Sequence, residues 1–142
     1  RRAAAEALRL NPDMRVVHRL LADMLYLEGK YSAARKEYEA EESMLSRLPG
    51  LAMTLHKLGD AQGGRRYLDE LQREYGLNGL YQQAQVLAQT DRPVQALDTL
   101  EQAYAANDAG LVLLRYDPMF AGLRQEPRFV ALLRQMGFSP PD

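Results

Sequence analysis

The apolar positions of this chain follow a helical spacing that recurs three times along the sequence. In each copy, large and small residues alternate at offsets of three and four, and a short turn separates two such runs. The matching residues are His18, Leu21, Ala22, Leu25, Gly29, Tyr31, Ala34 and Tyr38 in the first copy, Leu48, Leu51, Ala52, Leu55, Gly59, Ala61, Gly64 and Leu68 in the second, and Leu80, Gln83, Ala84, Leu87, Asp91, Pro93, Ala96, Leu100 and Ala103 in the third. The pattern predicts three helical hairpins, each with a first and a second helix.

The small residues of the pattern indicate where two helices cross closely. A small side chain lets two helix axes approach, and the neighbouring large side chains then pack around the contact. The six small residues are Ala22, Ala52 and Ala84 on the first helices and Ala34, Gly64 and Ala96 on the second helices. The matching turn residues Gly29, Gly59 and Asp91 are 30 and 32 residues apart, so the three units are of unequal length.

Caps and turns along the chain predict where the helices begin and end. Asp13, Ser32 and Asp60 are residue types that cap helix N-termini, and Pro49 suits the opening turn of a helix. No sustained alternation of apolar and polar residues predicts a strand. The predicted helices of the three hairpins cover residues 13–28, 32–46, 48–58, 60–75, 81–90 and 93–106.

The C-terminal part of the chain has a pattern of its own. Asp108 precedes an apolar stretch at 111–116, and the pairs Asp117-Pro118 and Glu126-Pro127 each start a short helix with Pro at its first position. Phe129, Leu132, Leu133 and Met136 share one helix face. We expect this tail to cover the apolar end of the last hairpin, with a polar outer side supplied by Arg124, Arg128, Arg134 and Gln135.

The hairpin pattern resembles the tetratricopeptide signature of large, small and aromatic residues at fixed offsets. The tail, which reads DPMFAGLRQEPRFVALL, is similar to the segment that follows the last repeat in many bacterial tetratricopeptide regions attached to adenylate cyclase, winged-helix activator or kinase domains. The resemblance implies an all-α fold, a right-handed tetratricopeptide-like superhelix of about three hairpins with a C-terminal capping helix pair. Its expected parts are the end of a truncated preceding repeat at 1–12, three divergent hairpins at 13–106 and the cap at 107–142.

Composition narrows the range of functions. The net charge of −1 provides no broad basic surface for a nucleic acid, and no apolar run approaches the ~20 residues that span a bilayer. The absence of cysteine excludes disulfides and thiolate metal sites, and it is compatible with either the cytosol or the periplasm. We expect a cytoplasmic protein with neither nucleic-acid binding nor membrane insertion.

The residues that often carry chemistry do not converge in this sequence. His18 takes a packing position, His56 pairs best with Asp60 one turn later, and the adjacent Glu41 and Glu42 point apart on a helix, as on a solvated face. The stretch at 62–66 lacks the spacing of a phosphate-binding loop, and Gly63 within it has no role in the hairpin pattern. We therefore predict no catalytic residue, no metal ion and no cofactor.

The tetratricopeptide resemblance implies that the first helices line a concave wall. The register places candidate partner-binding residues there: Arg19, Asp23, Tyr26, Met53, Lys57, Tyr81 and Gln85, with Gln89 as a further candidate. Such a mixture of aromatic, amide and charged side chains suits an extended peptide or a partner helix. Some family members clamp a C-terminal carboxylate in this groove, and here a base stands at Arg19 but Asp23 replaces the expected Asn.

The sequence therefore predicts a non-catalytic module of a larger bacterial signalling or regulatory protein that binds a protein or peptide, or itself. The alternative is a regulatory sensor domain that binds a small ligand and controls an attached catalytic or DNA-binding domain. For the first function we expect substitutions of Arg19, Tyr26 or Tyr81 to weaken binding while leaving stability nearly unchanged.

Overall fold

The computed structural model describes residues 15–138, and within this range the chain is helical without any β-strand. The chain forms two compact units, one up to Arg73 and one from Glu74 onward. In the described range the helices are α1 (Arg15–Leu27), α2 (Tyr31–Ala40), α3 (Met44–Lys57), α4 (Ala61–Tyr75), α5 (Leu80–Gln89), α6 (Pro93–Ala105) and α7 (Pro127–Gln135), with shorter 3-10 helices at Gly76–Gly79, Ala109–Leu113 and Pro118–Leu123.

Among residues 15–138, none of the helices combines the length and the apolar character needed to cross a membrane. The predicted end of a preceding repeat at 1–12 and the predicted cap at Asp13 lie outside the described residues.

The hairpin turns share one local geometry. The turns after α1, α3, α5, α6 and α7 each contain a residue with left-handed backbone: Gly29, Gly59, Asp91, Asn107 and Gly137, with φ of 81, 92, 62, 58 and 87°. In each case the N–H of the following residue donates to the carbonyl five residues earlier, at 2.8–3.0 Å, and so satisfies a helix-end carbonyl. Glycine adopts this conformation at no steric cost, and Asp and Asn tolerate it. The three turn positions that the sequence pattern aligned are therefore equivalent in structure.

The six small residues of the pattern are all buried, as the sequence predicted. The five alanines, Ala22, Ala34, Ala52, Ala84 and Ala96, have no exposed surface. Gly64 shows why nothing larger fits at such a position, because a Cβ added to it would lie 2.7 Å from the backbone oxygen of Ala52. Close approach of α4 to α3 therefore depends on the missing side chain.

Replacing Ala96 with leucine should lower the free energy of unfolding by about 1–3 kcal/mol. Ala96 on α6 is completely buried, so three extra carbon atoms must displace neighbours that are already packed. The neighbouring Gln95→Leu change adds the same side chain at an exposed position and should have a much smaller effect. Denaturant unfolding of both variants measures the difference, and equal midpoints would contradict the assigned packing.

The connection between α2 and α3 differs from the sequence-based prediction. A helix was expected to continue to Ser46, but α2 ends at Ala40, and Glu41 and Ser43 have extended backbone before α3 begins at Met44. As a result Pro49 is the sixth residue of α3 rather than part of its opening turn, and its ring removes one helical hydrogen bond. The break is stabilised by the Arg47 guanidinium, which donates to the Glu41 carbonyl oxygen at 2.9 Å.

Glu41 is also buried rather than part of a solvated face. Its side chain is only 4% exposed, and its Oε1 accepts a hydrogen bond from the Ser43 backbone N–H at 3.1 Å. Because the helix stops at Ala40, Glu41 does not occupy the helical position from which its exposure was inferred. The carboxylate instead satisfies a backbone donor where α3 begins.

Two of the predicted caps have different outcomes. Asp60 caps α4 as expected, since its Oδ1 accepts from the Gly63 N–H at 2.8 Å. This contact also explains Gly63, because a Cβ there would collide with the Asp60 carboxylate. Ser32 is not a cap, since α2 begins at Tyr31 and its N-cap residue Lys30 makes no side-chain capping bond.

The tail contains the two predicted proline-initiated elements, a 3-10 helix from Pro118 and α7 from Pro127. Phe129, Leu132 and Leu133 are buried on one face of α7, and Met136 is half-buried. Arg128 pairs with Asp98 and Glu101 of α6 through contacts of 2.6 and 2.7 Å, and its hydrogen bond to Glu101 lowers the pKa of that carboxyl group.

Arg124 does not serve the polar outer side that was expected of it. Its guanidinium turns back to the chain and donates to the backbone oxygens of Arg115 at 2.7 Å and Asp117 at 3.4 Å. The side chain therefore ties together the connection between two 3-10 helices, where carbonyl groups lack regular helical partners. Arg134 and Gln135 are exposed, as predicted.

Candidate functional site

The candidate partner-binding residues fall in both units. Arg19, Asp23 and Tyr26 lie on α1, and Met53 and Lys57 lie on α3, all in the first unit. Tyr81 and Gln85 lie on α5 in the second unit.

In the first unit, Asp23 is held by a tyrosine from the neighbouring helix. The Tyr38 hydroxyl on α2 donates to Asp23 Oδ1 at 2.5 Å, while the Tyr38 ring lies directly on Gly50 of α3, where a Cβ would overlap it. Burial, and then the adjacent Asp23 carboxylate, raise the pKa of Tyr38, so the phenol keeps its proton and remains a donor. Tyr38 therefore links all three helices and fixes the orientation of Asp23.

The remaining first-unit candidates divide into buried and exposed residues. Tyr26 and Met53 are each only 3% exposed, and the Tyr26 ring meets Tyr31 edge-on with 5.4 Å between centroids. Arg19 and Lys57 are exposed. The expectation that replacing Tyr26 leaves stability unchanged is therefore wrong, because its ring belongs to the core. Charged groups accessible to a partner come from Arg19, Lys57 and the half-buried Asp23.

In the second unit, the candidate face of α5 contacts another segment of the same chain. Tyr81, Gln85 and Gln89 are four residues apart and so share one face of the helix. The Tyr81 hydroxyl and Gln85 Nε2 both donate to Asp117 Oδ2, at 2.5 and 2.7 Å, and Gln89 Nε2 donates to the Met119 backbone oxygen at 2.7 Å. The face that the sequence assigned to a partner is therefore occupied by residues 108–123, which we call the covering segment.

Two aspartates attach the covering segment to α5. Each uses one oxygen to cap a 3-10 helix: Asp108 accepts from the Gly110 N–H at 2.8 Å, and Asp117 from the Met119 N–H at 2.9 Å. The second oxygen of each reaches α5, since Asp108 Oδ2 accepts from the Tyr81 backbone N–H at 3.0 Å and Asp117 binds the Tyr81 hydroxyl. A hydrogen bond to an ionised carboxylate is stronger than one to a neutral acceptor. Asp108 and Asp117 therefore hold the covering segment in a fixed position against α5.

The ring of Tyr81 is enclosed by the covering segment. Tyr81 is only 2% exposed; a Cβ added to Gly110 would lie 2.7 Å from its Cγ, and Phe120 meets it edge-on at 5.5 Å. Burial, followed by the hydrogen bond to Asp117, raises the pKa of the Tyr81 phenol, which therefore stays protonated as a donor. Replacing Tyr81 would remove a buried ring from the core of the second unit. The expectation that this replacement leaves the stability of the protein unchanged is therefore wrong.

Sequence reasoning found half of this arrangement. It identified Asp108 and Asp117 as caps and Tyr81 and Gln85 as residues sharing a face. It did not connect the two sets, and the signal available for doing so was weak. The unusual density of amide side chains along α5, at Gln82, Gln83, Gln85 and Gln89, is the feature that could have indicated a polar intrachain contact.

Other polar side chains of the described residues make contacts between neighbouring helices. His18 Nδ1 lies 3.1 Å from Glu37 Oε2, a contact between α1 and α2. Within the part of the chain that the structure describes, no group of three or more His, Cys, Asp or Glu residues is arranged to hold a metal ion. The described contacts of titratable residues are caps, helix-to-helix hydrogen bonds and surface pairs.

Comparison with models of protein families, with curated proteins and with solved structures finds no match to this chain. The tetratricopeptide resemblance thus stays a prediction from the sequence. The first unit offers accessible charges on its first helices, whereas the corresponding face of the second unit is covered by its own chain.

Proposed function

We propose that this chain is a non-catalytic module that binds a protein or peptide, or a second copy of itself, within a larger bacterial signalling or regulatory protein. We also propose that its hairpins stack as a right-handed tetratricopeptide-like superhelix. One observation carries the proposal: buried small residues and left-handed turns recur at the same positions of successive hairpins. That recurrence is expected of repeat proteins, in which each hairpin completes its core against its neighbours.

Repeat architectures favour binding over chemistry for a physical reason. Stacked hairpins present successive first helices side by side and so create an extended surface rather than an enclosed pocket. Such a surface can contact a peptide or a helix over many residues, with a few side chains contributing most of the affinity. The mixed charges at Arg19, Asp23 and Lys57 suit recognition of this kind.

The first unit is the better place for a partner. In the hairpin register, Arg19 and Asp23 of α1 correspond to Tyr81 and Gln85 of α5. On α5 these positions bind the covering segment, whereas Arg19 is exposed. We therefore assign partner contacts to Arg19, Asp23 and Lys57, and we assign Tyr26 and Met53 to the core that supports them.

Replacing Arg19 and Lys57 together with alanine should weaken partner binding by at least about tenfold, because anchoring side chains commonly contribute ~2 kcal/mol or more. The measurement is affinity capture from lysate of the source cell, followed by determination of the dissociation constant for each captured protein. Since both side chains are exposed, thermal unfolding of the variant should match that of the original chain.

The matched control replaces Lys36 and Arg65, two exposed cations on the second helices α2 and α4. This variant removes the same number of positive charges and should retain the partner with unchanged affinity. If the Arg19 and Lys57 variant also retains the same partners at the same affinity, the first helices do not form the binding surface.

A further inference from the structure

The covering segment exposes apolar side chains in a regular pattern. The 3-10 helix Ala109–Leu113 is followed by turns in which the N–H groups of Leu114 and Tyr116 donate to carbonyls three residues earlier, so about every third side chain points the same way. Leu111 and Leu114 form the inward row and are 5% and 0% exposed. The two other rows face outward, and their apolar members Val112, Leu113 and Tyr116 are 70%, 58% and 73% exposed. Three large apolar side chains are thus exposed within five consecutive residues.

Arg115 lies among them, and no carboxylate of the described residues pairs with it. The Arg115 guanidinium is 5.2 Å from the centroid of the Tyr116 ring and 5.9 Å from that of Phe138, in cation–π contact with both. Within the described residues its side chain makes neither an ion pair nor a hydrogen bond. The neighbouring arginines differ, since Arg124 donates to two carbonyl oxygens and Arg128 pairs with two carboxylates.

These residues combine the features of a protein-binding surface. Exposed apolar clusters mark interaction sites, and Tyr and Arg are the residue types most enriched among residues that dominate binding energy. Stacking on two rings holds the planar guanidinium in place and reduces the entropy lost when it forms further hydrogen bonds. A carboxylate is the complementary group, because it accepts two parallel hydrogen bonds from such a guanidinium.

We propose that Val112, Leu113, Arg115, Tyr116 and Phe138, here called the arginine surface, bind a peptide segment in which an acidic residue is flanked by apolar residues. The acidic side chain pairs with Arg115, and the apolar side chains bury Val112, Leu113 and Tyr116. Binding removes from water the three most exposed apolar side chains of the covering segment.

The charge around this surface favours a peptide over a membrane. Attraction to anionic lipid grows by ~1 kcal/mol for each cation near the surface, so membrane-binding segments carry several. Residues 108–119 contain one cation, Arg115, and two aspartates. A single arginine beside apolar side chains matches a single carboxylate of a peptide.

This surface is separate from the site proposed above. It lies in the second unit and contains none of Arg19, Asp23 or Lys57. Either surface can therefore be disproved without consequence for the other, provided that substitutions are confined to one of them.

The test is selection of random 12-residue displayed peptides on the 142-residue chain. The library is first depleted on an Arg115→Gln/Leu113→Ser variant, so that retained peptides require the arginine surface. We expect enrichment of peptides with Asp or Glu between apolar residues. Fluorescence anisotropy of the enriched peptides should show binding about tenfold weaker for Arg115→Gln alone and for Leu113→Ser alone. No enrichment, or enrichment of peptides without an acidic residue, would overturn the proposal.

Controls for composition are available in the same unit. Arg134→Gln removes an exposed arginine outside this surface, and Val94→Ser removes an apolar side chain that is 63% exposed. Both variants should bind the enriched peptides normally. Equal weakening by these controls would show general charge or apolar effects and would refute the arginine surface.

Two other occupants give distinct results. Sedimentation with phosphatidylserine-containing vesicles that is lost in Arg115→Gln would identify a membrane surface. A dimer in analytical ultracentrifugation that is lost in Leu113→Ser would identify an interface with a second copy. Either result would replace the peptide proposal.

Discussion

Replacing Phe120 with alanine should lower the free energy of unfolding of this protein by about 3–5 kcal/mol. Phe120 has no exposed surface, and its ring packs against Tyr81 at 5.5 Å and Phe129 at 6.3 Å between centroids. Truncation removes this whole aromatic contact and leaves a cavity that the surrounding helices cannot fully close. Such a loss of stability would show that the covering segment is part of the core of the second unit rather than a loosely attached surface segment.

Denaturant unfolding followed by circular dichroism measures this effect. Phe138→Ala is the matched control, because Phe138 is only half-buried and its replacement should have a clearly smaller effect. If Phe120→Ala and Phe138→Ala have the same midpoint, the covering segment contributes little to stability. The face of α5 carrying Tyr81 and Gln85 would then be open to a partner after all.

Replacing Gly64 with leucine should lower the free energy of unfolding by about 3 kcal/mol, at the upper end of overpacking effects. The first added carbon already lies 2.7 Å from the Ala52 backbone oxygen, so α3 and α4 must move apart to accommodate it. Helix propensity alone predicts the opposite sign, since Gly is roughly 0.8–1 kcal/mol less favourable than Ala in a helix and Leu ranks just below Ala. The direction of the change therefore distinguishes close helix packing from local preference.

Gly122→Leu provides the control for this substitution. A Cβ at Gly122 has nothing within 4 Å, and its backbone does not require left-handed φ. The change should alter stability by no more than about 0.5 kcal/mol. An unfolding midpoint for Gly64→Leu equal to that of Gly122→Leu would contradict the close contact between α3 and α4.

The sequence by itself determined the features that depend on residues within about five positions of one another. The left-handed turns at Gly29, Gly59 and Asp91, the cap at Asp60 and the proline-started α7 all follow from such local rules. Local hydrogen bonds and backbone preferences act over one helical turn, so nearby residues suffice to specify them. The small residues could be placed for the same reason, because their spacing repeats with the helix period.

Only the tertiary structure decided which predicted faces are covered. The bond from Tyr81 to Asp117 spans 36 residues, and that from Gln85 to the same carboxylate spans 32. Helical periodicity places Tyr81 and Gln85 on one face but contains no information about what approaches that face. The end of α2 at Ala40 also depends on tertiary structure, because no Gly or Pro marks it in the sequence. The hydrogen bond from Arg47 to the Glu41 carbonyl, which stabilises this end, requires that α3 begin at its observed position. Contacts of this range depend on how whole elements pack together, and a local pattern cannot specify that packing.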